Sequence, residues 1–512
     1  MRTLRIAAAT LLLVACHDST DPNREGPETQ LAREAKRWIV VFNQPNGLPN
    51  NVERMIADAG GAITTQVAQI GAVGVTSSDP DFATKLAAQP QVKAVSEDLE
   101  VQMIPPSGSV ELGVVNTHES PGPAEPAGPD PQPGTEPLYH QQWDKMRMNA
   151  SATGSYLVQQ GRRDVVVAIL DTGVEFLPVP HPDIGPNLDA GRSRSFMNPA
   201  FGVEGDPNPA SWDDRHGHGS WCASAVAAPI NAFGISGVAP NVTLVALKVL
   251  GDNGSGSFLG IAQALVYAGL NHFDVASMSL SGTVPHAGGQ AVITIVQRAI
   301  EFARSNGVLP MAALSNANWD ISDGHFMGPF IIVPAEIAGV VGVSATGYTN
   351  RKAFYSNYGV GKTDVSAPGG GSTTFDPMPP TYFGFGRVVG AWASEGLGNL
   401  GVPSYVIEQC TPGPGGACFW YAWVRGTSMA TPNAAGVAAL IFSQYGTDLS
   451  PTRVESILQQ TANNQPCVDN DSPTYIAFEL AAYCKGEAGG YTNFFGKGIV
   501  DALKAVTGNS GS

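Results

Sequence analysis

Charge is scarce in this chain. Asp, Glu, Lys and Arg make up 14% of the 512 residues, and the 28 cations are outnumbered by 44 acidic residues, for a net charge of −16. A phosphate-tracking nucleic-acid binder needs clustered cations, so that class is disfavoured. Six cysteines are too few for a disulfide scaffold. No apolar run approaches the ~18 residues of a membrane-spanning helix. What is abundant points the other way. Hydrophobic residues reach 43%, which excludes a wholly disordered chain. The length predicts two to three domains with a large buried core.

The first residues read as an address. Arg2 and Arg5 precede the short apolar run Ile6–Val14, the pattern of an exported protein's signal peptide. Leu13-Val14-Ala15-Cys16 resembles a bacterial lipobox, which makes Cys16 the expected lipid-bearing residue. The other cysteines suit an oxidising compartment. Cys410 and Cys418 flank a Pro/Gly turn, and Cys467 and Cys484 bracket a short loop-like segment. Two local disulfides with those pairings are expected, with Cys222 a buried free thiol, although sequence alone leaves other pairings open.

The organisation along the chain follows from periodicity. After residues 1–16 and a polar tether over 17–37, residues 38–103 read as β-α-β-β-α-β, with a last strand near Val92–Met103. That order predicts a small ferredoxin-like α+β unit. Residues 104–137 are dense in Pro, Gly and Glu and read as an extended linker. From 138 to 512, continuous apolar runs such as Val165–Leu170, Leu244–Val249, Val275–Leu280, Val308–Ala313 and Val340–Val343 alternate with helical segments. Strands that are apolar on both faces predict a doubly wound, mostly parallel α/β sheet.

Three segments carry chemistry. Asp171 ends the run Val165–Leu170 and is followed by Thr172-Gly173, and open α/β sheets keep their functional groups at such carboxyl ends. Gly217-His218-Gly219-Ser220 sets a histidine at the start of a small-residue helix, with His216 as a rival. Gly426-Thr427-Ser428-Met429-Ala430-Thr431-Pro432 places a serine ahead of an Ala/Gly-rich stretch, with Pro432 read in the first helical turn. Singly these are a turn-former, a packed histidine and a helix cap. Together they give Asp, His and Ser in the chain order of one class of triad proteases.

These segments resemble the signatures of the subtilisin-like (subtilase) serine peptidases over about residues 138–503. The resemblance implies a subtilisin-like fold, and a catalytic set of Asp171, His218 and Ser428. Asn316, in Ala312-Ala313-Leu314-Ser315-Asn316-Ala317-Asn318, is the implied oxyanion donor, with Asn318 the runner-up and Ser315 standing where the family has Gly. Ser279-Leu280-Ser281-Gly282 and the stretch from Leu250 to Gly256, with Gly251, match the two backbone edges that hold substrate as an added strand, with Ser281 in place of a Gly. The small N-terminal unit resembles the family's inhibitory propeptide.

The loop Pro229–Gly237 resembles the family's calcium loop. The implied Ca2+ ligands are Asp183 and Asn231, with Pro229, Phe233 and Ile235 on the loop and Gln141 or Gln142 completing the set. The expected partners are protein or peptide substrates and the chain's own propeptide, with no nucleic acid, a membrane reached only through Cys16, and a monomeric enzyme. The competing readings are a non-catalytic surface-binding protein on a protease scaffold, and an inhibitor or chaperone role of the N-terminal unit alone. An α/β-hydrolase is disfavoured, because no G-x-S-x-G elbow surrounds Ser428.

Overall fold

The computed structural model describes residues 35–104, 134–197, 210–324, 328–373, 376–379, 382, 384–400, 406–412, 416–467, 475–477, 480–486 and 489–508. The expected signal peptide with Cys16, nearly all of the expected tether and residues 105–133 of the expected linker lie outside the described residues.

The first described unit runs β1 (Lys36–Phe42), α1 (Val52–Asp58), β2 (Gly61–Val67), β3 (Ala72–Ser77), α2 (Phe82–Ala87) and β4 (Val92–Glu97). Its strands pair antiparallel in the order β2-β3-β1-β4, the split βαβ arrangement. The two-residue period of β1 divides its run of apolar side chains between two cores. Val40 and Phe42 pack with Met55, Ile56, Phe82 and Leu86 under the unit's own helices. Ile39 and Val41 face the other way, into a core shared with the larger unit.

The strand expected over Val92–Met103 is two strands. β4 stops at Glu97, and β5 (Val101–Gln102) pairs with a strand of the large unit instead.

The large unit continues with α3 (Trp143–Arg147), β6 (Val166–Asp171), β7 (Arg194–Ser195), α4 (His218–Ala227), β8 (Thr243–Lys248), β9 (Ser255–Gly256), α5 (Phe258–Leu270) and β10 (Val275–Met278). Then come β11 (Gly282–Pro285), α6 (Gln290–Ser305), β12 (Leu309–Ala313), β13 (Phe330–Val333), β14 (Val341–Thr346) and β15 (Val365–Pro368). Seven strands form a parallel sheet in the order β15-β14-β12-β10-β6-β8-β7. From β6 the chain winds to one side through β8 and returns to the other through β10. That reversal opens a crevice at the carboxyl end of β6, where Asp171 sits.

A second, antiparallel sheet follows: β16 (Val388–Trp392), β17 (Val406–Cys410) and β18 (Cys418–Val424), in the order β16-β18-β17. It lies on α4, where the Trp221 indole N–H donates to the Ala422 carbonyl at 3.2 Å and the Ala391 N–H to Ser224 Oγ at 3.0 Å. The chain closes with α7 (Thr427–Tyr445), α8 (Pro451–Thr461) and α9 (Ala502–Thr507). α4 and α7 cover one face of the parallel sheet; α5 and α6 cover the other, together with Ile39 and Val41.

α7 is buried from Thr427 to Ser443. Pro432 is its sixth residue, so it lies in the second turn rather than the first. Cys410–Cys418 and Cys467–Cys484 are disulfides and Cys222 is a buried free thiol. Among the described residues no helix is long and apolar enough to cross a membrane.

Candidate active site

Asp171 and His218 meet. Asp171, fully buried at the end of β6, accepts from His218 Nδ1 at 2.7 Å. Its Oδ1 also accepts the Thr172 N–H at 2.8 Å. His218 opens α4, and the glycines on either side are what let it do so. Gly217 has φ +101°, and a Cβ there would lie 2.2 Å from the Trp392 ring. A Cβ on Gly219 would lie 2.0 Å from the Gly173 carbonyl oxygen. The G-H-G spacing therefore reflects close backbone approach on both sides of the imidazole. His216, the rival, is a buried ring beside Trp392 whose Nδ1 accepts the His218 N–H at 3.4 Å. Burial first, and then the neighbouring His218, lower its pKa to about 4.

Asp214 ties the two halves together and was not singled out from the sequence. It accepts from Thr172 Oγ1 (2.9 Å), the N–H groups of His216 (2.9 Å), Gly217 (3.0 Å) and Ser220 (2.8 Å), and Ser220 Oγ (2.6 Å). Burial pushes its carboxyl up, but the Ser220 and Gly217 bonds and the neighbouring His216 and Lys248 outweigh it and hold it below the usual range. The available signal was an Asp four residues before His218, in a turn ahead of a helix.

Ser428 is the second residue of α7 and is 7% exposed. Its N–H is one of the first-turn donors that a helix leaves without an internal partner. Pro432 has no N–H to give the Ser428 carbonyl, and the Cys222 thiol donates to that oxygen at 3.7 Å. The same sulfur is 3.9 Å from His218 Nδ1. Cys222 therefore packs between the histidine helix and the serine turn. Burial, followed by the charge of Asp171, raises its pKa well above the ordinary thiol value, which keeps it protonated.

Asn316 follows β12. Its Oδ1 accepts from the Thr427 N–H at 2.8 Å and Thr427 Oγ1 at 3.0 Å. With the oxygen so fixed, Nδ2 is turned toward the serine turn, 3.6 Å from where a Cβ on Gly426 would be. Asn318 is committed elsewhere: its N–H donates to the Tyr355 carbonyl at 2.7 Å, and its Oδ1 accepts from buried Lys352 Nζ at 2.7 Å. Ser315 adopts φ +77°, in the left-handed region that favours glycine. Asn357 braces the loop, accepting from the Ala317 N–H at 3.0 Å and the Trp319 N–H at 2.9 Å.

Of the two segments that resemble substrate edges, one is covered. β5 runs antiparallel to β9, with Val101 opposite Gly256 and Gln102 opposite Ser255. The Met103 and Ile104 N–H groups both reach the Gly254 carbonyl at 3.2 Å. Gly251 closes the turn beneath, donating to the Ser255 carbonyl at 2.8 Å. On the far edge Ser279 and Leu280 are buried. A Cβ on Gly282 would lie 3.2 Å from Val101 Cγ1. Residues 101–104 thus pass between the two segments that resemble substrate edges.

The side-chain oxygens of the candidate calcium ligands Asp183 and Asn231 are turned to protein donors. Calcium needs six to eight converging oxygen lone pairs, whereas here donors converge on Asp183. Tyr421 Oη–H and the Ile235 N–H give to Oδ2 at 2.6 and 2.9 Å, and Asn231 Nδ2 gives to Oδ1 at 3.3 Å. Asn231 Oδ1 is taken by the Phe233 N–H at 2.9 Å. Gln142 reaches the loop, bonding the Ser236 N–H and carbonyl at 2.9 and 2.7 Å. Asp183 and Asn231 are neighbours, as expected, but as acceptor and donor. Among the described residues two other clusters bring ligand-type atoms within 4.8 Å: Asp171–His218–Cys222 and Glu408–Cys410–Cys418. The first holds a protonated thiol, and the second has both sulfurs in a disulfide, so neither suits a metal.

The structure thus brings a histidine held by a buried aspartate, at the sheet's switch point, and a serine at a helix start to the two sides of Cys222. The comparisons go further. The subtilase family's sequence profile matches residues 162–498. An alkaline protease of Alkalihalobacillus alcalophilus is 28% identical over 513 aligned residues, 98% of each chain. Subtilisin Savinase of Lederbergia lenta is 32% identical over 342 residues, 67% of this chain and 90% of that one. Among solved structures, the epidermin leader peptide processing serine protease of Staphylococcus aureus superposes with a TM-score of 0.67 at 19% identity, covering 94% of this chain and all of the other. The chain belongs to the subtilase family of serine proteases.

Proposed function

We propose that this subtilase is an endopeptidase made as a self-inhibited zymogen. The observation that carries the reading is the 2.7 Å Asp171–His218 bond beside a serine that shares its Cys222 contact. Asp171 holds the imidazole in the tautomer whose free nitrogen accepts a proton. His218 takes the Ser428 hydroxyl proton as the oxygen attacks a peptide carbonyl, and returns it to the leaving amine. The Asn316 amide and the Ser428 N–H receive the developing oxyanion, aided by the positive end of α7. Hydrolysis of the acyl-enzyme by water completes the cycle.

Residues 38–103 act as the inhibitor in this reading. Strand β5 occupies the β9 edge, with Ser279, Leu280, Ser281 and Gly251 forming the surroundings a substrate strand would meet. Cutting the linker over 104–137 frees the groove. With a lipid on Cys16, the precursor is tethered at the cell envelope, and processing releases a soluble, monomeric catalytic unit.

Expression of wild-type and Ser428→Ala chains tests this. The wild type is expected to yield a mature form in the soluble fraction and Ser428→Ala an uncut, membrane-associated precursor. Normal processing of purified Ser428→Ala would rule out self-cleavage.

A further inference from the structure

We propose that the hairpin β17–β18 takes the place of a bound cation at the loop Pro229–Gly237, so that this subtilase needs no calcium there. The hairpin belongs to the insertion between β15 and α7, and it supplies side chains where a metal would supply charge. Tyr421, fully buried on β18, gives its hydroxyl hydrogen to Asp183 at 2.6 Å. Gln409 on β17 accepts the Gly234 N–H at 3.1 Å. Loop and hairpin are in close contact at Gly234: φ is +49°, and a Cβ would lie 1.8 Å from Tyr421 Oη and 2.1 Å from Asp183 Oδ2.

Two of the loop's groups, the Gly234 carbonyl and the Asn231 amide, already have protein partners. The Gly234 carbonyl accepts the Leu138 N–H at 2.8 Å. Asn231 Nδ2 gives to the Pro182 carbonyl at 3.0 Å as well as to Asp183. The apolar wall is continuous with this network. Phe419 and Tyr421 set their rings edge-on to His181, with centroids 5.0 and 5.3 Å away, and Phe233 packs on both. The Cys410–Cys418 disulfide joins the two strands that carry Gln409, Phe419 and Tyr421. A hairpin fixed in this way can present its side chains without the ordering entropy that a free loop would lose. Binding that stabilises a native state raises its melting temperature by mass action; a closed protein network gains nothing from added ion.

The test is thermal unfolding of the full chain carrying Ser428→Ala to prevent autolysis, alone and with Asp183→Ala or Tyr421→Phe added, each in excess calcium or excess EGTA. The expected result is that any EGTA shift is the same with and without Asp183→Ala. Tyr421→Phe is expected to lower the melting temperature by about 2–4 °C, as for the loss of one buried hydrogen bond. A stabilisation by calcium that disappears in Asp183→Ala would overturn the proposal, because it would place the ion at this loop. An unchanged melting temperature in Tyr421→Phe would also overturn it, because the hydroxyl would then hold nothing.

Discussion

The Arg298 guanidinium lies 2.9 Å from the Ile70 carbonyl, buried between α6 and the N-terminal unit. Its other terminal nitrogen reaches the Phe42 carbonyl at 3.0 Å. A cation that meets carbonyls rather than a carboxylate carries its charge into the interface, and burial lowers its pKa accordingly. Removing it leaves those carbonyls without a donor. Arg298→Ala is therefore expected to weaken docking of the N-terminal unit by about 2 kcal/mol, near thirtyfold. Full-length Arg298→Ala should react with a serine-directed fluorophosphonate faster than the wild-type precursor, while the mature forms cleave a short peptide equally well. Equal precursor labelling would mean that the contact contributes nothing to inhibition.

Asn316 and Asn318 are two residues apart and have different work. Asn316→Ala is expected to lower kcat by roughly 10²–10³ with KM little changed, the usual size for one lost oxyanion donor. Asn318→Ala leaves buried Lys352 without its 2.7 Å acceptor and should lower the melting temperature more than kcat. Steady-state kinetics and melting of the two variants separate the roles. A larger kcat loss in Asn318→Ala would reverse the assignment.

Glu175 gives a pH signature. Burial raises its carboxyl from 4.5 to about 7, only partly offset by bonds from Ser394 and reinforced by Asp214 and Asp213. The folded chain thus holds this proton more tightly than the unfolded chain. Its stabilisation is complete below about 4.5 and is lost as the pH rises toward about 7. Asp274 and Asp364, also raised by burial to about 7, add to the same slope. Glu175→Gln keeps an acceptor for the Ser394 N–H (2.8 Å) and is expected to flatten, without abolishing, the fall in melting temperature across this window. An unchanged slope would remove Glu175 from the explanation.

The legible parts of the molecule are those written locally. The long apolar runs around Ala168, Val245 and Met311 became strands of the parallel sheet, because burial on both faces leaves its mark in consecutive residues. The β-α-β-β-α-β order was legible because short β-branched and apolar runs alternate there with helical stretches. β5 and β7 were not, since each is two residues long and exists through its partner strand. Composition around Asn316 and Asn318 is too alike to rank them; their partners Thr427 and Lys352 are more than 30 residues away in sequence. Asp214 looked like any turn aspartate until five donors gathered on it. The surroundings of the loop Pro229–Gly237 were hidden for a similar reason: Asp183 and Asn231 are in place, but Tyr421, which bonds Asp183, is 238 residues away in sequence.

Labelling of the processed wild-type enzyme with a fluorophosphonate, followed by peptide mass spectrometry, tests the proposed catalytic set most directly. Only a serine activated by a positioned base reacts readily with such a probe. The expected adduct maps to the peptide containing Ser428, is lost in Ser428→Ala, and is strongly reduced in His218→Ala and Asp171→Ala. An adduct on another serine, or labelling of Ser428 that survives His218→Ala undiminished, would contradict the Asp171–His218–Ser428 assignment.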